Sequence, residues 1–458
     1  MRPELIIVEP YFFISYKEIE IQQCINEHGT AEIKGILDKE TDEDILEKMS
    51  PNETITIKAV LDNGESQVLF KGLVRKAELI VEDGIKILEI NAISHTLLMD
   101  MKRNIRIFQD TEQLYSDIAK YIATEHKARI ICTEGEERKT GHMIAQYNET
   151  DWEFLKRLAS ELNTIIVADS VNGKISFSFG PPKPKKRILQ DFSYKTTRNL
   201  GEFYRQKSQG REECREQDVV SVIVTTRELV ELCSPVEIEE EGYLVKKFTM
   251  KLVGAEMVNT CELVYSGGLK TTRFFNSRIS GISISGMIHQ VKRDIVQIRF
   301  PQDINGPFVW FPYATAYSSP DGTGWYCMPE IGDTVRAYFP DEDESHGIAV
   351  NMVHLTCGLR EQPDIKFIRS PYEKEIRFEP GAIYITNHKG MSVVLDDKRG
   401  ISIKSDSDIV VMAEGDINMH SGRTMKVIGE EGVVASQGDN RIEIKDGIKQ
   451  TARVIAQK

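Results

Sequence analysis

The sequence predicts a mainly β protein whose C-terminal part is an intertwined β-prism built by three chains. Three observations carry this prediction. Apolar and polar residues alternate over long stretches between turn-forming residues, as in residues 54–94. Two segments in which apolar residues have helical spacing interrupt this pattern, near residues 111–125 and 150–162. From Ile401 onward, apolar pairs recur every eight residues with turn-forming residues between them.

Length and composition limit the class of protein. A chain of 458 residues, 40% hydrophobic and 28% charged, is typical of a folded protein of two to four domains. No apolar run reaches the roughly 18 residues of a membrane span, and the first residues lack the pattern of a signal peptide. We therefore expect synthesis and folding in the cytoplasm. The net charge of −13 disfavours a general nucleic-acid binder. Seven scattered cysteines without a CxxC pair indicate reduced thiols rather than disulfides or a zinc site.

The second helical segment has a clear start signal. Thr150 and Glu153 have the spacing of a capping box, in which each side chain bonds the backbone N–H of the other residue. Apolar residues at helical spacing follow, from Phe154 to Leu162. The first segment carries a similar stripe from Leu114 to Ile122. Both segments are predicted to pack one face against the surrounding strands.

Residues 277–357 read as a compact all-β module. An alternating hairpin over residues 281–300 is followed by further strand segments, and five short strands in about 80 residues are typical of a small Greek-key barrel. Four aromatic residues fall in this module, and we expect them to fill the barrel or an interdomain face: Trp310, Tyr313, Trp325 and Tyr326. A base-stacking platform is the alternative, but the acidic loop 341–344 disfavours it. That loop and the adjacent His346 are expected to be solvated, with His346 not a metal ligand.

The eight-residue repeat assigns an interior to the C-terminal segment. One apolar phase starts at Ile401 and a second two residues later, so that each unit is a short strand with two inward positions. The same period appears before the turn at 396–400 and continues after a one-residue slip near the end. The predicted prism interior consists of Ile383, Ile385, Met391, Val393, Ile401, Ile403, Ile409, Val411, Ile417, Met419, Met425, Val427, Val433, Ala435, Ile442 and Ile444.

The length of the unit favours three chains over one. Eight residues span at most about 26 Å, too little for one chain to enclose its own core, and a flat single-layer meander would leave the apolar stripe in water. Three identical chains can each supply one wall and turn the stripe onto a shared axis, which also covers the strand edges. His388 and His420 have the opposite parity and are expected to point outward, so that three-fold metal chelation by them is not predicted.

Several motifs, in this order, resemble those of the phage tail-hub and spike proteins and their VgrG relatives in type VI secretion. Residues 146–169, QYNETDWEFLKRLASELNTIIVAD, are similar to the hub motif of a tyrosine and an acidic turn before a Phe- and Leu-rich helix. Residues 328–344, MPEIGDTVRAYFPDEDE, resemble the neck barrel of the spike. Residues 363–385, PDIKFIRSPYEKEIRFEPGAIYI, resemble the stretch that leads into the prism. The resemblance covers nearly the whole chain.

This resemblance implies a domain order and a set of partners. Residues 1–276 would form a hub of two related β-barrels with inserted helices, 277–357 an OB-type neck barrel, 358–375 a linker and 376–458 a triple-stranded β-prism spike. The chain would form a homotrimer that meets a tail tube protein above the hub and baseplate proteins around it. A separate tip protein at the C-terminus is possible. Sheath contraction would drive the spike into the target cell envelope. No catalytic residue, metal or cofactor is implied.

Departures from the family pattern narrow the function. The 18 or so residues between Cys357 and Ile376 leave no room for the lysozyme domain of some phage members, and no effector domain is expected after the prism. A structural hub-spike of a phage tail or phage-tail-like bacteriocin is the leading interpretation. A type VI secretion VgrG spike is the alternative within the family. A β-helical polysaccharide-binding or polysaccharide-degrading protein and a cell-surface adhesin are alternatives from other classes.

Overall fold

The computed structural model describes residues 3–38, 43–62, 64–189, 192–304, 306–350 and 356–455. It divides into two compact units, Met1–Val353 and His354–Lys458. The predicted domain boundaries at 276, 357 and 375 remain predictions. Residues 351–355, at the end of the predicted neck, and 456–458, at the end of the predicted spike, lie outside the described residues.

The first unit is built mainly from β-strands, as predicted. Its strands are β1 (Pro3–Glu9), β2 (Phe13–Cys24), β3 (Thr30–Leu37), β4 (Thr54–Leu61), β5 (Ser66–Glu82), β6 (Ile85–Ser94), β7 (Arg103–Phe108), β8 (Arg129–Cys132), β9 (Ile144–Thr150), β10 (Ile166–Ala168), β11 (Ser176–Phe179), β12 (Ser193–Arg198), β13 (Val220–Thr226), β14 (Pro235–Ile238), β15 (Glu241–Val253), β16 (Glu256–Val264), β17 (Ile282–Lys292), β18 (Ile295–Arg299), β19 (Trp310–Pro312), β20 (Thr334–Phe339) and β21 (Ile348–Val350). Its α-helices are α1 (Tyr115–Glu125), α2 (Asp151–Glu161) and α3 (Leu200–Ser208).

One large antiparallel sheet forms the framework of this unit. Its strand order is β1-β4-β5-β6-β3-β2-β15-β16-β13-β12, and β14 pairs with β15. The sheet curls around a single core, since β1 also approaches β16 and residues such as Phe70 and Leu263 from its two halves share one buried cluster. Over the described residues, however, the hydrogen-bonded path stays open. The mainly β class is confirmed, whereas the two barrels of the predicted hub are not closed by strand pairing in a single chain.

The two predicted helices lie in a segment inserted between β6 and β12. α1 and α2 pack with β8, β10 and β11 around a second core, in which Ile118, Phe154 and Leu158 are fully buried. The predicted capping box is confirmed, because the Thr150 side chain accepts a hydrogen bond from the backbone of Glu153 and the Glu153 side chain accepts one from the backbone of Thr150. None of the described helices is both long enough and apolar enough to cross a membrane.

Five strands follow as a small curled sheet, matching the predicted number. Their order is β19-β18-β17-β20-β21. The two end strands meet at a parallel bridge between Tyr313 and Ala349, where Ala314 N donates to Ala349 O at 2.8 Å. The core of this module includes Ile107 and Ala145 from the helical insert. This shared core fixes the module to the rest of the first unit. Its assignment as an OB-type fold remains a prediction.

The second unit contains two small antiparallel sheets separated by a stretch without regular structure. Its strands are β22 (Lys366–Arg369), β23 (Glu375–Glu379), β24 (Ala382–Thr386), β25 (Ser392–Asp396), β26 (Gly400–Lys404), β27 (Val433–Gln437), β28 (Asn440–Ile444) and β29 (Ile448–Thr451). Each sheet is a meander in sequence order. β22 lies in the predicted linker but is a strand of the first sheet. Residues 405–432, all of them described, contain no assigned helix or strand.

Candidate interaction surfaces

The five-stranded sheet of the second unit has one apolar face. Its register places Ile376 opposite Ile385, Ile385 opposite Val393, and Val393 opposite Ile403. Because side chains alternate along a strand, a second row of the same face contains Phe378, Ile383, Leu395 and Ile401. Five residues of the predicted prism interior lie on strands of this sheet, and they share one face: Ile383, Ile385, Val393, Ile401 and Ile403.

The opposite face of this sheet is mostly polar, with a cluster of charged residues around Glu375. This carboxylate is only 5% exposed. It lies 3.4 Å from Arg369 and 3.2 Å from Arg377, and His388 Nε2 lies 3.0 Å from it. The Arg377 guanidinium also stacks over Tyr384, 5.1 Å from the ring centroid. His388 therefore lies on the side away from the apolar face, as its parity predicts.

The exposure of the two faces is the reverse of that in an ordinary sheet. Along β23, Glu375 is buried while Ile376 and Phe378 are exposed. Ile401, in the last strand of the sheet, is 74% exposed. This exposed apolar face runs across all five strands of the sheet. Such a contiguous apolar face on an isolated chain indicates an interaction surface. We call this surface the apolar face of β22–β26.

The middle of the predicted prism has no pairing partner within the chain. Between residues 406 and 432 the described residues make no hydrogen bond between two main-chain groups. The predicted interior residues of this stretch are exposed: Ile409, Val411, Ile417, Met419, Met425 and Val427. The prediction that each eight-residue unit is a strand is not met within one chain. The physical reason is that a strand is defined by its pairing, and no described segment of this chain pairs its backbone with the stretch.

The last sheet repeats the one-sided arrangement. Val433 pairs with Ile444 and Ala435 with Ile442, and Ile444 also pairs with Ile448. These residues share one face of β27–β29. The structure thus brings the predicted interior together at both ends of the second unit and leaves its middle unpaired. The assignment of these residues to a three-chain interior remains a prediction.

A buried ionic cluster in the first unit escaped the sequence analysis. Arg157, on α2, donates from Nε to Glu149 at 2.9 Å and from Nη1 to Glu344 at 2.8 Å. The same Glu344 carboxylate accepts the backbone N–H of Ala145 at 3.2 Å. Glu344 is 1% exposed, so the expectation that the acidic loop 341–344 is wholly solvated is wrong at this residue. A helix that packs against the loop supplies the cation that makes burial of this acid possible. The spacing of Arg157 within α2 gave no signal of this partner.

His142 extends this cluster on its other side. Its Nδ1 lies 2.8 Å from the carbonyl oxygen of Thr140, and its Nε2 lies 3.3 Å from the Glu161 carboxylate. Both neighbours are acceptors, which favours the doubly protonated form of the imidazole. The hydrogen bond to Glu161 accordingly raises the pKa of His142 above its ordinary value. Burial alone would raise the pKa of Glu161, but His142 and Arg157 lower it.

Neither this cluster nor any other group of described His, Cys, Asp and Glu residues has an arrangement that could hold a metal ion. His346 pairs with Asp341 at 2.9 Å on the exposed side of the acidic loop. Arg157 bonds Glu149 and Glu344 within the cluster, whereas Glu161 Oε1 and Glu344 Oε2 are buried without a hydrogen-bond partner among the described residues. The arrangement joins α2 to the acidic loop through buried ion pairs.

Of the four aromatic residues singled out in this module, Tyr313 packs against the core and the other three lie at the surface. Trp310 is partly exposed, Trp325 is 63% exposed and Tyr326 is 76% exposed. Phe300, Phe311 and Phe339 occupy the core instead. The expectation that the four residues fill the barrel is therefore wrong for Trp310, Trp325 and Tyr326, and their placement on an interdomain face remains a prediction. The sequence could not separate the two sets, since Trp325 and Tyr326 follow a turn and have no alternating partner on a strand.

Comparison with known proteins shows which solved structures share this fold. No curated protein sequence matches the chain. A family model, the Alg8 N-terminal domain, matches residues 13–198, which is less than half of the chain and assigns no family. The E. coli c3393 protein, a component of the type VI secretion system with structural similarity to the T4 bacteriophage tail proteins gp27 and gp5, is 12% identical. It matches with a TM-score of 0.51 over 75% of this chain and 99% of its own.

Two structures of a Francisella PdpA–VgrG complex are similar over more of the chain. The half-lidded form is 10% identical and has a TM-score of 0.55 over 87% of each chain. The lidded form is 10% identical and has a TM-score of 0.54 over 85% of this chain and 76% of its own. At these identities the likeness concerns the fold. The chain has the fold of the type VI secretion VgrG proteins and of the phage tail proteins similar to them.

Proposed function

We propose that this chain is the homotrimeric hub-spike of a contractile injection machine, a phage tail or phage-tail-like bacteriocin. The single observation that carries the proposal is the second unit, which exposes its apolar faces and leaves residues 405–432 without backbone partners. An isolated chain gains little from this arrangement. Three copies around one axis would remove the apolar faces from water and supply the missing strand partners.

Two contributions to the free energy of assembly, apolar burial and backbone hydrogen bonding, favour such a trimer. Burial of apolar surface contributes about 25 cal/mol per Å², and the apolar face of β22–β26 alone offers side chains as large as Phe378 and Ile401. The backbone groups of 405–432 are solvated in one chain, but burial without partners would be costly. Interchain strand pairing satisfies both requirements at once. It also closes the sheet edges, which protects a long needle from aggregation.

The first unit suits the hub role in this proposal. Its helical insert and its five-stranded module are joined by a shared core and by the buried Arg157–Glu344 contact. Such a junction can transmit an axial load without local unfolding. In this assembly the hub would meet the tail tube and the baseplate, and the second unit would enter the target envelope. The step is mechanical, so we propose a non-enzymatic protein without cofactor.

A matched pair of substitutions in the unpaired stretch tests the proposal. Ile417→Asp would place three carboxylates on the three-fold axis and should abolish trimer formation, because like charges would be buried together. His420→Asp, three residues away with outward parity, should leave the trimer intact. Size-exclusion chromatography with light scattering gives the mass of each variant. If both variants assemble equally well, the predicted interior is wrong.

A type VI secretion spike is the second candidate. The similarity to the VgrG chains extends over 87% of this chain, and the E. coli c3393 protein is itself a type VI component. The assembly would be the same trimer and would differ in the tube protein that it meets. Co-purification with tube proteins of each kind would separate the two machines.

A further inference from the structure

The five-stranded module carries a protruding segment whose role the proposed function does not explain. Residues 315–327 lie in the connection between β19 and β20. All of them except Ser319 are exposed. They present Tyr317, Trp325 and Tyr326 to solvent. We call residues 315–327 the aromatic arm.

The aromatic arm has a defined conformation despite its exposure. Trp325 N donates to Tyr317 O at 2.9 Å, and Ser319 N donates to Thr323 O at 2.8 Å. Gly324 adopts φ +142°, and a Cβ at this position would lie 2.4 Å from the Tyr317 carbonyl oxygen. A side chain at position 324 would therefore clash with the backbone of Tyr317 on the other side of the arm, so that only glycine fits there. The conformational entropy of presenting the aromatic rings is already lost in the free chain, which favours binding.

The composition of the arm is that of an interface centre. Asp321 is the only charged residue among residues 315–327, although 28% of the chain is charged. Depletion of charge together with Trp and Tyr distinguishes the buried centre of protein interfaces from the rest of a surface. These residue types also contribute most of the binding energy at such centres.

Three polar groups of the arm already have hydrogen-bond partners within the first unit, which helps to distinguish the classes of partner. Tyr326 OH donates to Arg293 O at 2.9 Å, and Thr315 Oγ1 donates to Trp325 O at 2.8 Å. Asp321 accepts the backbone N–H of Thr323 at 2.9 Å. A sugar would need free polar groups beside the rings, and a nucleic acid would need cations. The arm offers apolar ring surface, which fits a protein.

We propose that the aromatic arm packs against a neighbouring copy of this chain within the trimer. The inference rests on the proposed homotrimer. β21 ends at Val350 and β22 begins at Lys366, so the intervening chain can span at most about 58 Å. Once three second units assemble, this tether holds three five-stranded modules close together. At such an effective concentration a small apolar contact is occupied without high intrinsic affinity.

Acrylamide quenching of tryptophan fluorescence tests the contact. The chain has three tryptophans, and the difference between the wild type and Trp325→Phe isolates Trp325. The expected result is a Trp325 signal that is shielded in the trimer and becomes accessible in the monomeric Ile417→Asp variant. A Trp325 signal that is as accessible in the trimer as in that monomer would overturn the proposal. It would indicate that the arm awaits a different protein.

A kinetic measurement provides the second readout. The double substitution Trp325→Ser and Tyr326→Ser should increase the rate of subunit exchange between labelled trimers by about ten-fold or more. Tyr204→Ser, an equally exposed aromatic position on α3, is the matched control and should leave exchange unchanged. Equal exchange rates in all three proteins would contradict the inference. A wild type that is monomeric by light scattering would instead refute the proposed function itself.

Discussion

Arg157 joins three parts of the first unit through one side chain. It lies on α2, bonds Glu149 at the end of β9, and bonds Glu344 in the loop between β20 and β21. Its Nη2 also donates to the Ala145 carbonyl at 2.8 Å. With a side-chain exposure of 3%, it is the cation on which two buried carboxylates depend. Its removal would leave these charges uncompensated.

We expect Arg157→Ala to lower the free energy of unfolding of the first unit by about 3–5 kcal/mol, the usual cost of leaving a buried charge without its partner. Urea unfolding followed by near-ultraviolet circular dichroism measures the effect. Arg205→Ala is the matched control, because Arg205 pairs with Glu202 on the exposed helix α3. Its effect should stay below about 1 kcal/mol. Equal losses for the two variants would show that the buried cluster adds no stability.

The His142–Glu161 pair predicts a dependence of stability on pH. The raised pKa of His142 means that the folded protein holds this proton more tightly than the unfolded chain. The stabilisation is complete below the ordinary pKa of 6.5 and is lost as the pH rises through the raised value. The groups that face His142 are Thr140 O, Glu161 and, through its charge, Glu344 and Arg273.

We therefore expect the thermal midpoint of the wild type to fall as the pH rises above about 6.5. His142→Gln can still bond Glu161 but does not titrate, so the fall should be smaller in this variant. His420→Gln, at an exposed position, should retain the wild-type profile. Differential scanning calorimetry across this pH range gives the comparison. Identical profiles for His142→Gln and the wild type would exclude the pair as the cause.

At the scale of elements, the apolar face of β22–β26 is the feature that the sequence predicted best. The parity of the eight-residue repeat placed Ile385, Val393 and Ile403 on one face, and the strand register agrees. Alternation is a local property, so one sequence suffices to assign it. Pairing is not local, which explains why residues 405–432 were predicted as strands although the single chain gives them no partner.

Adjacent positions on β26 allow a direct test of this face. Ile403 and Ser402 are both exposed in one chain, so an aspartate at either position should be tolerated if the chain acts alone. If the face is covered in a trimer, Ile403→Asp should disrupt assembly while Ser402→Asp should not. Sedimentation velocity distinguishes the two outcomes. Equal sedimentation of both variants as trimers would mean that this face stays in water.

Helix α3 shows a limit of prediction at this scale. Its residues, LGEFYRQKS, have no buried member, so no apolar stripe marked it in the sequence. It is stabilised by local contacts instead, with the Asn199 side chain capping Glu202 N at 3.0 Å. The helices α1 and α2 were predictable because each buries one face.

At the scale of the whole molecule, the mainly β fold class follows from periodicity and motif order, and the fold comparisons agree. The way in which distant elements meet does not follow. Glu344 reads as one acid in an acidic run, and only its approach to Arg157 across 187 residues reveals its burial. Trp325 of the aromatic arm illustrates the same limit, because apolar composition alone does not distinguish a core position from an exposed one.

The central claim is that the second unit is completed by two further copies of the chain. Light scattering on the purified wild-type protein tests it most directly. The account predicts a mass of three times the 52.1 kDa of one chain, unchanged on dilution through the micromolar range. A stable, folded particle with the mass of one chain would contradict it.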